Sequence, residues 1–108
     1  MDEREFVAVA DAELASIETA LEVASGSGVA DFDFETKPGG VIEIEFDNGS
    51  KIIVNRHVAA REIWLAAKSG GYHFRPQGGK WLGTRDGEEV MTALARTLSE
   101  QAGVNITL

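Results

Sequence analysis

The chain of 108 residues predicts an α+β fold, two helices packed on one face of an antiparallel sheet of about six strands. Three observations lead there. Apolar residues recur at steps of three and four over the first two dozen positions, the period of a helix with one buried face. From Phe32 to Leu82 they recur at steps of two, in short runs separated by Gly-, Asn- and Ser-containing turns. A weaker helical pattern follows Asp86. Strands joined by such short turns run antiparallel. A sheet with one apolar face draws both helices to that face, which gives a two-layer α/β sandwich.

Residues Asp2 to Ala24 predict the first helix, with Phe6, Ala10, Leu14, Ile17, Leu21 and Ala24 as its apolar stripe. Asp11, Glu18 and Glu22 fall on one line beside it, because steps of seven and four return to nearly the same angle. Gly26 and Gly28, interleaved with serines, end the helix. In the first strand Phe32 and Phe34 alternate with Asp31, Asp33 and Glu35. Past Pro38-Gly39-Gly40, Ile42, Ile44 and Phe46 alternate with Glu43 and Glu45. Asp47-Asn48-Gly49 signals a hairpin, since Asn-Gly accepts the positive φ angles of a type I′ turn.

Lys51–Arg56 is the return strand, followed by Glu62–Ala66, Tyr72–Arg75 and a short strand at Lys80–Leu82. Asp86, with Glu89 three residues on, reads as a capping box for the second helix. That helix runs through Val90, Leu94, Leu98 and Gln101 to about Gly103. Val104, Ile106 and Leu108 predict an apolar tail packed on the core, and Trp81 is expected at the core or its edge.

The length fits one domain, residues 1–108. Cysteine is absent, which excludes disulfides, thiolate metal sites and Cys nucleophiles. No apolar run reaches membrane-spanning length and no signal-peptide pattern opens the chain, so a cytoplasmic bacterial protein is expected. Charge is unevenly divided: residues 1–50 carry −11 and residues 51–108 carry +3. The acidic half repels nucleic acid and anionic membranes, and it attracts cations or a basic protein surface.

Two groups of residues carry candidate chemistry. The period of two places Ile52, Val54, Ile63, Leu65, Tyr72 and Phe74 on the core side of the sheet. Asn55, Glu62, Trp64, His73 and Arg75 then share the other side. A Trp among polar residues away from the core is a large apolar surface left for a partner, and Trp and Arg are the residues that most often dominate interfaces. The competing reading folds Trp64 back over its neighbours.

The second group is acidic: Asp11, Glu18 and Glu22, with Asp31 and Asp33 on the next strand, are expected to form one ridge. Such open carboxylates suit hard cations such as Fe²⁺, Mn²⁺ or Ca²⁺ and predict weak, exchangeable binding. A merely solvated helix face is the competing reading. His57 and His73 lack a Ser or Cys partner at a motif spacing, and no G-x-G-x-x-G follows a strand. An enzyme is not expected.

The segments Asn48–Arg56 (NGSKIIVNR) and Ile63–Phe74 (IWLA-x-KSGGYHF) closely resemble the frataxin family, in its bacterial CyaY branch. The likeness is dense from Gly39 to Phe74, recurs at Trp81 and Asp86-Gly87-Glu88, and is compositional before Gly39. It implies a helix–sheet–helix domain that regulates iron–sulfur cluster assembly without being an enzyme, and a monomer when free of metal. It also implies that Asp11, Glu18, Glu22, Asp31 and Asp33 hold Fe²⁺ loosely and face a cysteine desulfurase. Asn55, Trp64, His73 and Arg75 would meet the desulfurase and its scaffold partner.

Three departures bear on that likeness. Thr19, Ala20, Val23, Ala24 and Ser25 stand where relatives crowd acids, Ala59 where they usually have Pro, and Glu62 where they usually have Gln. An acidic protein-interaction module, with metal binding incidental, is the alternative reading.

Overall fold

Asp2 starts the first helix. In the computed structural model, which describes residues 1–108, its carboxylate accepts a hydrogen bond from the Glu5 N–H at 2.8 Å. That satisfies one of the donors a helix start leaves open, and α1 (Glu3–Gly26) follows. Its buried residues are Phe6, Ala10, Leu14, Ile17, Leu21 and Ala24, the stripe read from the sequence. The helix runs two residues past the expected end at Ala24, with Ser27 as C-cap. The Ser25 and Ser27 hydroxyls donate to the Glu22 and Ala24 carbonyls and hold that last turn together.

Six antiparallel strands follow in simple meander order: β1 (Phe32–Lys37), β2 (Val41–Phe46), β3 (Lys51–His57), β4 (Glu62–Ala67), β5 (Gly70–Gln77) and β6 (Lys80–Gly83). Several outlast the apolar alternation by one or two residues, because ladder hydrogen bonds continue where side chains no longer need burial. Register sets the two faces. Ile44 opposite Ile52, Val54 opposite Leu65 and Ile63 opposite Phe74 lie under the helices. Asn55, Trp64 and His73 form one cross-strand row on the other side.

Both helices cover one face, α1 against β1 and β3 and α2 (Val90–Ala102) against β6. Phe6 meets Trp81 edge-on at 6.1 Å and ties the start of α1 to β6; both side chains are buried. Tyr72 lies on the helix side as the alternation requires, but only half-buried, under the Arg96 guanidinium 5.0 Å from its ring. Glu88 grips Arg96 with both carboxylate oxygens, at 2.9 and 3.2 Å.

The expected capping box is not formed. Glu89, not Asp86, holds the N-cap position of α2, and no side chain caps it. A bridge between Leu82 and Glu89, with the Gly83 N–H donating to the Glu88 carbonyl at 2.7 Å, holds residues 88–89 extended along β6. The helix has no room to begin earlier. Asp86 instead accepts the Glu88 N–H at 3.0 Å within the preceding loop. The tail also departs from expectation: only Ile106 packs on the core, while Val104 and Leu108 are exposed. Ser99 explains the selection, since its hydroxyl accepts the Ile106 N–H at 2.9 Å while donating to the Ala95 carbonyl at 2.7 Å within α2.

Gln101, buried near the end of α2, fastens two hairpin turns to the helix layer. Its Oε1 accepts the Lys68 N–H at 2.8 Å, and its Nε2 donates to the Ser50 hydroxyl at 3.0 Å and the Lys51 carbonyl at 3.2 Å. Asn48 adds a bond from its Nδ2 to the Gln101 backbone carbonyl at 2.8 Å. Gln101→Leu leaves those groups without their partner and is expected to cost about 1–3 kcal/mol. Urea denaturation measures it; an unchanged midpoint would mean the turns hold themselves.

Candidate partner-binding face and acidic residues

On the helix-free side of the sheet, β3, β4 and β5 bring rings and charges together. The Trp64 indole is stacked between two imidazoles. His57 lies 3.7 Å from it at 13° and His73 lies 4.4 Å from it at 9°, centroid to centroid. The indole is therefore half-buried rather than bare: it does associate with its neighbours, yet it stays on the face away from the core. Asn55 sits beside it in register and donates to the Arg56 carbonyl at 3.1 Å.

Glu62 is the surprise of this face. The alternation places it with the outward residues, and it does point that way, but it is only 4% exposed. Its Oε1 accepts the Trp64 Nε1–H at 2.7 Å, and its Oε2 accepts the Arg75 Nε–H at 2.6 Å. His73 Nδ1 stands 3.4 Å from Oε1. Burial pushes the Glu62 carboxyl up, but the hydrogen bonds from Trp64 and Arg75, with the Arg75 and His73 charges behind them, outweigh it. The net result lies below the usual Glu range. Arg75 uses only Nε in this contact; its side chain is 68% exposed and presents the rest of the guanidinium to solvent.

The turn from β3 to β4 delivers His57 to the stack. Arg61 adopts φ +56°, a conformation uncommon for a residue with a Cβ. Both its backbone N–H, at 3.1 Å, and its guanidinium donate to the Val58 carbonyl. His57 Nδ1 accepts the Ala60 N–H at 3.2 Å, which fixes the ring plane from the loop side. His57 is not among the residues expected here, although extending the β3 alternation from Asn55 by one step reaches it.

The carboxylates do not form one ligand sphere. Glu18 is half-buried and Glu22 exposed on α1, whereas Asp31 and Asp33 line an open depression with Glu45 and Asp47 beside the β1–β2 edge. No three His, Asp or Glu side chains converge as a metal cage would require. Asp11 is already engaged, in an ion pair with Arg56, which reaches it from the core-side parity of β3. Gly40 makes room for that reach: a Cβ there, at φ +75°, would stand 2.6–2.8 Å from the Arg56 side chain. Of the five acids, Asp31 and Asp33 are brought together, Glu18 and Glu22 share a helix flank, and Asp11 is paired with Arg56.

Two helices on one side of a six-stranded antiparallel meander, with an acid-rich first helix and a Trp-centred open face, define a frataxin-type domain. The family profile for the frataxin-like domain matches residues 1–104, and the chain belongs to that family. The iron-sulfur cluster assembly protein CyaY of Dechloromonas aromatica is 54% identical over 108 residues, covering 100% of this chain and 99% of the relative. A frataxin from Psychromonas ingrahamii has a TM-score of 0.80 at 28% identity, over 99% of this chain and 97% of its own. A trimeric frataxin from the yeast Saccharomyces cerevisiae, complexed with ferrous iron, gives 0.75 at 25% identity, over 88% and 86%.

The Glu62 arrangement has a pH consequence. A carboxyl whose folded pKa is depressed contributes stability that is fully present above its ordinary value and is lost as pH falls through the folded value. Glu62→Gln is thus expected to flatten the acid limb of a stability–pH profile, measured by chemical denaturation from about pH 7 down to about pH 3. An acid limb as steep as the parent's would show that Glu62 gains nothing from Trp64 and Arg75.

Proposed function

We propose that this chain is a non-enzymatic, iron-responsive regulator of iron–sulfur cluster assembly, acting in the bacterial cytoplasm by docking on a cysteine desulfurase and its scaffold machinery. The observation that carries the proposal is the prearranged outer face. Asn55, Trp64, His73 and Arg75 stand together there on the side of the sheet the helices do not use. Family membership and the CyaY relative's role in cluster assembly supply the direction. An indole with an adjoining exposed guanidinium combines buried area with directional hydrogen bonding, the usual composition of an interface anchor.

The acidic half has a separate task. Its −11 charge steers association with a basic partner surface, an effect that weakens as salt rises. Glu18 and Glu22, and independently Asp31 and Asp33, offer oxygen donors two at a time. Two carboxylates suit a hard ion such as Fe²⁺ that keeps most of its waters, which makes binding weak, exchangeable and open to other divalent cations. Without metal the protein acts as a monomer. In this mechanism iron occupancy lowers the negative charge presented to the desulfurase, so iron supply tunes docking.

A second reading, an acidic protein-interaction module in which metal is incidental, is favoured by one observation: the five acids are dispersed and Asp11 is paired. Calorimetric titration of a bacterial cysteine desulfurase separates the two. Trp64→Ala is expected to weaken binding about tenfold or more, about 1.4 kcal/mol. A variant with Glu18, Glu22, Asp31 and Asp33 all neutralised is expected to lose both anaerobic Fe²⁺ binding and the effect of Fe²⁺ on docking. Docking by the parent that does not respond to Fe²⁺ would leave the second reading in place. Unchanged binding by Trp64→Ala would remove the outer face from the mechanism.

A further inference from the structure

We propose that Glu62 is a positioning residue for the outer face, holding Trp64 and Arg75 in one preset arrangement before any partner arrives. The proposal rests on the reading that this face is the docking surface, and it assigns to a buried carboxylate the task of ordering it.

A carboxylate that is 4% exposed on the helix-free side of a sheet calls for an account, because ionised groups are costly to bury without strong partners. Its partners are two of the four residues assigned to docking. Trp64 gives its only polar side-chain hydrogen to Oε1 at 2.7 Å, and Arg75 gives Nε–H to Oε2 at 2.6 Å. His73 Nδ1 stands a little farther off, at 3.4 Å from Oε1. With its N–H edge held by Glu62, and its two faces by His57 and His73, the indole has no freedom to turn. The donors come from different strands, β4 and β5, so one side chain ties the row together.

The chemistry is specific to a carboxylate. Two oxygens accept two donors at once, each in a short contact strengthened by charge. An amide in the same place has one acceptor oxygen, and its NH₂ would face a second N–H. The Glu62→Gln variant would therefore satisfy Trp64 or Arg75 but not both. Ordering side chains in advance spares that cost on association, so the gain appears in affinity without any new contact to the partner.

The test uses ¹⁵N-labelled full-length protein. Trp64→Phe assigns the two indole Nε1–H resonances, one from Trp64 and one from Trp81. Glu62→Gln is expected to shift the Trp64 indole resonance and speed its exchange with solvent while leaving that of Trp81 in place. It is also expected to weaken desulfurase binding on the order of three- to tenfold. A Trp64 resonance with unchanged position and exchange overturns the positioning role, whatever happens to binding. Should Glu62→Gln fail to fold, acid titration of the parent replaces it. A Trp64 resonance that moves with protonation of the Glu62 carboxyl supports the role, and one that ignores it overturns the role. If Glu62→Gln frees the indole but Trp64→Ala leaves docking intact, positioning stands and the functional reading falls.

Discussion

The two-residue period of β3, β4 and β5, locked in register, is the constraint on which everything else depends. Ile52, Val54, Ile63, Leu65 and Phe74 must reach the helix layer together, and the same geometry sends Asn55, Trp64 and His73 the opposite way. A slip of one residue would put the indole in the core and the isoleucines in water. The hydrophobic driving force that closes the sandwich thus fixes the composition of the open face without touching it. Gln101 and Asn48 reinforce the register locally, because they fasten the β2–β3 and β4–β5 turns to α2.

Charge is handled differently at each place it occurs. On β1–β3 the acids are offset by a surface ladder, with Lys37 and Lys51 on Glu43 at 2.8 and 3.1 Å, and such exposed pairs contribute little stability. At Arg56 a long side chain crosses from the sheet to Asp11, so one member of the acidic helix flank is paired. At Glu62 a carboxylate is drawn out of water and answered by an indole and a guanidinium. Glu18, Glu22, Asp31 and Asp33 stay outside these pairs, and Asp47 shares the depression that Asp31 and Asp33 line.

Much of this was legible in the residues. The first helix stripe, the six strands and the outward row of Asn55, Trp64, His73 and Arg75 all follow from periodicity, since burial on one face leaves a regular trace. The start of α2 did not, because a capping box is a local signal and the Leu82–Glu89 bridge that overrides it is a tertiary contact. Asp11 with Arg56 joins positions 45 apart, and nothing in either segment announces the other. The burial of Glu62 depends on where Trp64 and Arg75 turn once folded, although its place two residues before a Trp on the same strand face was visible. His57 lies one step beyond the expected strand end, where the alternation no longer has an apolar partner to mark it.

One face of the sheet serves the core, and the proposed function assigns the other to a partner. Titrating ¹⁵N-labelled protein with a cysteine desulfurase and following amide shifts residue by residue checks that assignment. The largest changes are expected along Asn55, Trp64, His73 and Arg75, with weaker, salt-sensitive changes at the acidic flank of α1 and β1. Changes confined to α2 and the C-terminal tail, with the β3–β5 row silent, would mean that the partner docks elsewhere.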